Sequence, residues 1–233
     1  MVGMTLERIG RAALDMLYPP RCVLCGRSEA FLCASCRDGL PRADGLRCER
    51  CWLPLRGRSE CATCLKTPLA MSALRSVFRY EEGVQRLVRE LKFGGHSCLA
   101  EPLAIELEAA LREWAPPADA IVPVPLTASH LRRRGFNQTA LLARRLGRAT
   151  GVPVVEALAR RGKAVAQFGS TKEERWRNVQ GVFEVRPGVV VAGQRLLVID
   201  DVATTGATLD ACARALLAAG AVKVRALTVA RED

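Results

Sequence analysis

Two adjacent carboxylates, Asp200 and Asp201, follow the apolar run Leu196-Leu197-Val198-Ile199 and precede Val202-Ala203-Thr204-Thr205-Gly206-Ala207-Thr208. Paired acids accept hydrogen bonds from vicinal hydroxyls, and a Thr-Thr-Gly turn donates hydroxyls and backbone N–H groups to phosphate oxygens. The elements that must position these groups are legible around them. The apolar run predicts a buried strand that carries the acids at its carboxyl end. Residues 207–219 predict a helix whose positive end faces the turn, where a phosphate sits well. One ligand satisfies both halves: a ribose with a 5-phosphate.

A second chemistry lies in the first 64 residues. Eight of the ten cysteines form four C-x-x-C pairs: Cys22/Cys25, Cys33/Cys36, Cys48/Cys51 and Cys61/Cys64. Each pair puts two thiolates on one knuckle, and two knuckles complete a tetrahedral zinc site. Four knuckles predict two structural Zn²⁺ sites, with the head dependent on metal to fold. Sequential pairing is the simplest arrangement, and a cross-braced one is also compatible with the spacing. Redox chemistry is the weaker alternative, because the strand-helix-strand context of thioredoxin-like motifs is missing. Cys98 and Cys212 stand apart and read as small apolar residues.

The charge balance points to a polyanion. The chain of 233 residues carries 35 basic and 24 acidic side chains, a net +11. Between His130 and Asn178 there are 12 basic side chains and three acidic ones. Such density suits pyrophosphate, nucleic acid, or both. No apolar run reaches the roughly 18 residues of a membrane span. Residues 1–20 are broken by charges and lack the apolar core and cleavage site of a signal peptide. They predict a short amphipathic helix packed on the body, and a cytoplasmic protein.

After the cysteines, strands alternate with helices. Strands are expected at 74–80, 119–124, 182–185 and 223–230, and helices at 82–91, 100–114 and 172–179. Another helix follows the basic run Leu131-Arg132-Arg133-Arg134-Gly135-Phe136-Asn137-Gln138 and ends near 147–150. This pattern predicts an α/β fold with a mainly parallel sheet, whose ligands bind beyond the carboxyl ends of the strands. The expected division is a head over 1–68 and a body over 69–233. His96 and His130 are the only histidines, and neither is expected to be catalytic.

The string from Asp200 to Thr208 resembles the phosphoribosyl pyrophosphate (PRPP) motif of type I phosphoribosyltransferases. Further segments extend the likeness: Leu91-Lys92-Phe93-Gly94-Gly95, Val122-Pro123-Val124-Pro125, Arg134-Gly135-Phe136-Asn137-Gln138, and Gln167 with Arg175 and Asn178. With the cysteine head, these resemble the ComF family over nearly the whole chain. The resemblance implies a double zinc ribbon followed by a type I phosphoribosyltransferase-like (glycosyltransferase) body. It also implies a role in bacterial DNA uptake and natural competence.

Carried across, Asp200 and Asp201 would hold the ribose hydroxyls. Ala203, Thr204, Thr205, Gly206, Ala207 and Thr208 would cradle the 5-phosphate. Arg134, Asn137 and Gln138 would line the pyrophosphate or substrate side, although Asn137 could equally be a helix cap. Residues 162–170 would be a mobile flap, with Arg161 or Lys163 reaching the transition-state charge. Mg²⁺ would arrive with the pyrophosphate. The implied partners are PRPP, single-stranded DNA and other DNA-uptake or recombination proteins. One departure matters. Val122-Pro123-Val124-Pro125 occupies the place where such enzymes bind pyrophosphate on backbone N–H groups, and proline has none. A conventional transferase acting on a small nitrogenous acceptor is the alternative reading.

Overall fold

A computed structural model describes residues 19–28, 30–55, 57, 60–66, 68–114, 118–161, 172–179 and 181–233. The expected N-terminal helix and the expected flap, with Lys163 and Gln167, lie outside these residues.

The sheet is built from four segments of the body whose residues are mostly buried. Strands β1 (Ala73–Arg79), β2 (Ala120–Pro123), β5 (Arg195–Ala203) and β6 (Lys223–Arg231) form an all-parallel sheet in the order β1-β6-β5-β2. A separate antiparallel pair joins β3 (Leu158–Arg160) to β4 (Phe183–Val185). Central strands covered on both faces read as continuous apolar runs, as β5 does.

Alternation along β5 sends its residues to two separate cores. Leu196 and Val198 face one core, together with α8 (Ala207–Ala218). Leu197 and Ile199 face the other, together with α3 (Glu82–Phe93), α4 (Ala100–Trp114) and α6 (Gln138–Thr150). In α3, Val84, Leu87, Val88 and Leu91 recur at helical spacing and are all buried. The helix stops at Gly94-Gly95. A Cβ at Gly94 would stand 2.0 Å from Oε2 of Glu90, and Gly95 has a φ of +73°.

Among the described residues of the head are two short helices, α1 (Ala34–Asp38) and α2 (Ala62–Lys66). The head is stitched onto the open edge of the sheet. The Ala43 N–H donates to the Val77 carbonyl and the Arg79 N–H to the Pro41 carbonyl, while Arg42 pairs antiparallel with Phe78. This covers an edge that would otherwise present unpaired backbone groups. Arg42 also meets the buried Glu106 of α4 at 2.6 Å. Cys48, Cys51 and Cys64 belong to the same apolar core as Val198 and Leu209. Head and body therefore share cores across the expected boundary at 68/69.

The basic run departs from expectation. Its first half is a helix of its own, α5 (Ala128–Arg134), with the Thr127 hydroxyl accepting from the His130 N–H. Gly135, at φ +78°, ends it, and Asn137 starts α6. Two caps in quick succession divide one basic stretch into two helices. The last helix of this part, α7 (Lys172–Arg177), lies within the expected 172–179.

Candidate functional site

Asp200 and Asp201 do not cap their strand, as the sequence implied. Strand β5 runs on to Ala203, paired with β6 through Ala203 and Arg231. Its other neighbour, β2, ends at Pro123 opposite Ile199. The carboxylates therefore sit one and two residues past the end of β2, where β5 loses its partner on that side. Crevices of this kind, at the carboxyl ends of parallel strands, are where open sheets bind ligands.

Strand alternation separates the two acids. Asp201 turns toward the helices of the second core, is buried, and is fully engaged. Its Oδ1 lies 2.7 Å from Nζ of Lys92, and its Oδ2 accepts from Nε2 of Gln138 at 2.7 Å. Oε1 of Gln138 in turn accepts from a terminal guanidinium nitrogen of Arg134 at 2.6 Å. The burial of Lys92 opposes its charge, but Asp201, with Asp200 behind it, more than offsets this and holds its pKa above the ordinary lysine value.

Asp200 faces the opposite side and keeps some solvent contact. Its Oδ1 accepts from the Asp201 N–H at 2.8 Å. Enclosure by protein and the adjacent Asp201 charge push its pKa up to about 7, against the opposing pull of Lys92 and Arg160. Arg160, at the end of β3, stacks over Phe183 at 5.5 Å, and its Nε is buried with no hydrogen-bond partner. Burial lowers its pKa and the Asp200 charge works against that. Burial, followed by the charges of Arg134, Arg133 and Arg160, pushes the pKa of His130 down.

The turn after β5 runs straight into a helix N-terminus. Gly206 takes a left-handed φ of +80° at the start of α8, and the Thr205 hydroxyl accepts from the Ala207 N–H at 3.3 Å. Thr204, Thr205 and Thr208 are half-buried, and Ala203, Gly206 and Ala207 are buried. The linker from the head anchors this turn. The Ala70 N–H donates to Oδ1 of the buried Asp210 at 2.5 Å, one turn into α8.

The remaining expected residues divide. Gln138 and Arg134 join the Asp201 network. Asn137 is committed locally: its Oδ1 accepts from the N–H and hydroxyl of Thr139, and its Nδ2 donates to the Val124 carbonyl. Arg161 points outward and pairs with Glu184. Lys92 and Arg160 were assigned no role from the sequence. A cation closing a helix against Gly94-Gly95 was the available signal for Lys92, but only the packed sheet reveals its carboxylate partner.

The eight knuckle cysteines form two clusters, Cys22/Cys25/Cys33/Cys36 and Cys48/Cys51/Cys61/Cys64. In each, all four Sγ atoms lie within 4.8 Å of one another. That is sequential pairing, and four thiol donors fit a closed tetrahedral Zn²⁺ site. The second cluster reaches the phosphate turn through the buried Arg231, whose Nε donates to the Cys51 carbonyl and NH1 to the Ala203 carbonyl. Among the described residues no helix is long and apolar enough to cross a membrane.

Comparison with known proteins places this geometry. Residues 13–65 match the family model of a double zinc ribbon domain, and residues 131–233 that of a phosphoribosyl transferase domain. The chain is 33% identical to the DNA utilization protein YhgH of Salmonella typhi, over 93% of this chain and 99% of the relative. It is 28% identical to competence protein ComFC of Bacillus subtilis, over 88% of this chain and 86% of the relative. Competence protein F of Haemophilus influenzae is 26% identical, over 86% of this chain and 97% of the relative. With two thiol tetrads in its head and a parallel sheet of the type I phosphoribosyltransferase kind in its body, the chain belongs to the ComF family.

Proposed function

We propose that this chain is a PRPP-binding protein of DNA utilization, which handles incoming single-stranded DNA in the cytoplasm during uptake and transformation. The observation that carries the reading is the chain of contacts from Arg134 through Gln138 to Asp201. It ties the arginine-rich α5 to the strand that bears the candidate sugar-phosphate site, so one surface serves both polyanions. The names of the relatives, DNA utilization and competence, support the biological setting.

In this reading Asp200 meets the ribose hydroxyls, Asp201 is held behind it by Lys92 and Gln138 rather than on the ribose, and the turn from Ala203 to Thr208 cradles the 5-phosphate. Arg134, with Asn137 and Gln138 beside it, lines the pyrophosphate side. Mg²⁺ would enter on the pyrophosphate oxygens and supply charge neutralisation there. Arg160, whose charge acts on Asp200, is the cation available to the site in place of the outward-facing Arg161. The thiol tetrads would hold structural Zn²⁺, and the head offers a surface for uptake or recombination proteins.

Binding of a labelled oligo(dT) at two salt concentrations tests the reading. Binding should weaken steeply with salt, and the paired change Arg132→Ala plus Arg133→Ala should reduce the log–log salt slope by about 2. Binding should survive Asp200→Asn plus Asp201→Asn, which should abolish the thermal stabilisation given by PRPP with Mg²⁺.

A conventional phosphoribosyltransferase is the second reading, favoured by the uninterrupted run from Asp200 to Thr208. Pyrophosphate release from PRPP with a free base, together with no DNA binding at physiological salt, would establish it in place of the first.

A further inference from the structure

Phe93 is the one aromatic ring among the large apolar side chains left exposed in the described residues, at 60% exposure. The packing of α3 does not require it. The buried stripe Val84, Leu87, Val88, Leu91 lies on the opposite side of the helix, because a step of two residues from Leu91 turns about 200°. Phe93 is nonetheless held in a defined place. Gly94 and Gly95 end the helix immediately after it, and the guanidinium of Arg134 lies over the ring at 4.6 Å, with that of Arg133 at 5.7 Å.

Two separate routes link this ring to the carboxylates. Its neighbour Lys92 pairs with Asp201, and Arg134, stacked on the ring, reaches Asp201 through Gln138. A cation lies against the ring, while more than half of the residue's surface remains open to solvent. Arg133, at 5.7 Å from the ring, and its chain neighbour Arg132 are both exposed on α5. An exposed aromatic ring, a bracing guanidinium and adjacent basic charges are the parts of a single-strand binding groove.

We propose that Phe93, braced by Arg134, is a base-stacking platform, and that a single-stranded nucleic acid crosses α5 and lays a nucleobase on this ring beside the Asp200–Asp201 crevice. The proposal rests on the DNA-handling reading above and adds to it the place where a base is held. The shared chemistry is a flat heterocycle, which a free base would also supply.

The test compares labelled oligo(dT) with an abasic oligomer of equal length and charge. The wild-type chain should prefer oligo(dT). Phe93→Ala should weaken oligo(dT) binding about 5- to 150-fold, the effect of losing one stacked base, and leave abasic binding unchanged. Phe93→Tyr should keep the preference. Because the ring is exposed, the alanine variant should melt with the wild type, and Phe93→Leu serves as a second probe that keeps apolar bulk without a π-face.

An unchanged oligo(dT) affinity in Phe93→Ala overturns the platform and leaves the DNA reading standing. A wild-type chain that binds neither oligomer overturns both. If free adenine or thymine displaces oligo(dT) at equal base concentration, the ring belongs to a free base and the nucleic-acid track is wrong.

Discussion

Nζ of Lys92 stands 2.7 Å from Oδ1 of Asp201, joining the end of α3 to the strand that carries the candidate sugar-phosphate site. The pair is largely enclosed, with 22% and 4% of the two side chains exposed. Removing one partner of such a pair leaves a buried charge uncompensated. Lys92→Met should therefore destabilise the chain at pH 7 by about 3 kcal/mol in urea unfolding. Adding Asp201→Asn should recover much of that loss, with a coupling of about 1–3 kcal/mol. Strictly additive effects would show that the pair contributes nothing.

Asp200 behaves differently, because its pKa is raised to about 7 against about 3.9 in an unfolded chain. Between those values the folded state holds a proton that the unfolded state releases. Stability from this group therefore falls as pH rises from about 4 to 7, and the penalty is complete above 7. Asparagine cannot ionise and escapes it. Asp200→Asn should melt with the wild type near pH 4 and about 8–16 °C above it at pH 8, because the difference from about 3.9 to about 7 is worth about 4 kcal/mol. A difference that does not change with pH would contradict the raised pKa.

Asn137 combines a helix cap with a tie to the Val124 carbonyl just past β2. Asn137→Ala should cost about 1–2 kcal/mol in stability. Asn137→Asp keeps the capping acceptor but turns a carboxylate oxygen toward the Val124 carbonyl, so it should recover the cap and lose the tie to Val124. A folded aspartate variant whose PRPP affinity is unchanged would assign this side chain to structure. A selective loss of affinity would assign it to the ligand.

Arg231 carries structure from the second thiol tetrad to the phosphate turn. It is 1% exposed and bridges the carbonyls of Cys51 and Ala203. Elemental analysis should find about two zinc ions per chain, one for each set of four cysteines. Removing zinc with a chelator should increase amide hydrogen exchange at residues 203–208 as well as in the head. Cys22→Ser, in the tetrad that Arg231 does not touch, should leave exchange at 203–208 unchanged. Protection of the turn that survives complete loss of zinc would refute the coupling.

Local patterns made much of this legible. The four C-x-x-C knuckles needed only their spacing, because each places two thiols on one turn whatever surrounds it. Residues 100–114 read as a helix and are one, and β5 and α8 lie within a residue or two of their expected ends, because apolar periodicity reports burial directly. The Asp-Asp-x-x-Thr-Thr-Gly order likewise needs only a strand, a turn and a helix in succession.

What the sequence determined by itself, then, is an inventory: two thiol tetrads, a parallel α/β body, paired acids before a Thr-Thr-Gly turn, and a dense basic segment. Only the tertiary structure decided how these act on one another. Alternation in β5 sends Asp200 and Asp201 to opposite faces, and the early end of β2 leaves β5 without a partner strand on that side of them. Lys92, Arg134 and Gln138 converge on Asp201 from α3, α5 and α6, elements up to 109 residues distant from it in the chain. The head closes the sheet edge and reaches the phosphate turn through Arg231. Side-chain type and short-range spacing are local properties, whereas strand register, sheet order and the meeting of distant helices are set by packing the whole chain at once.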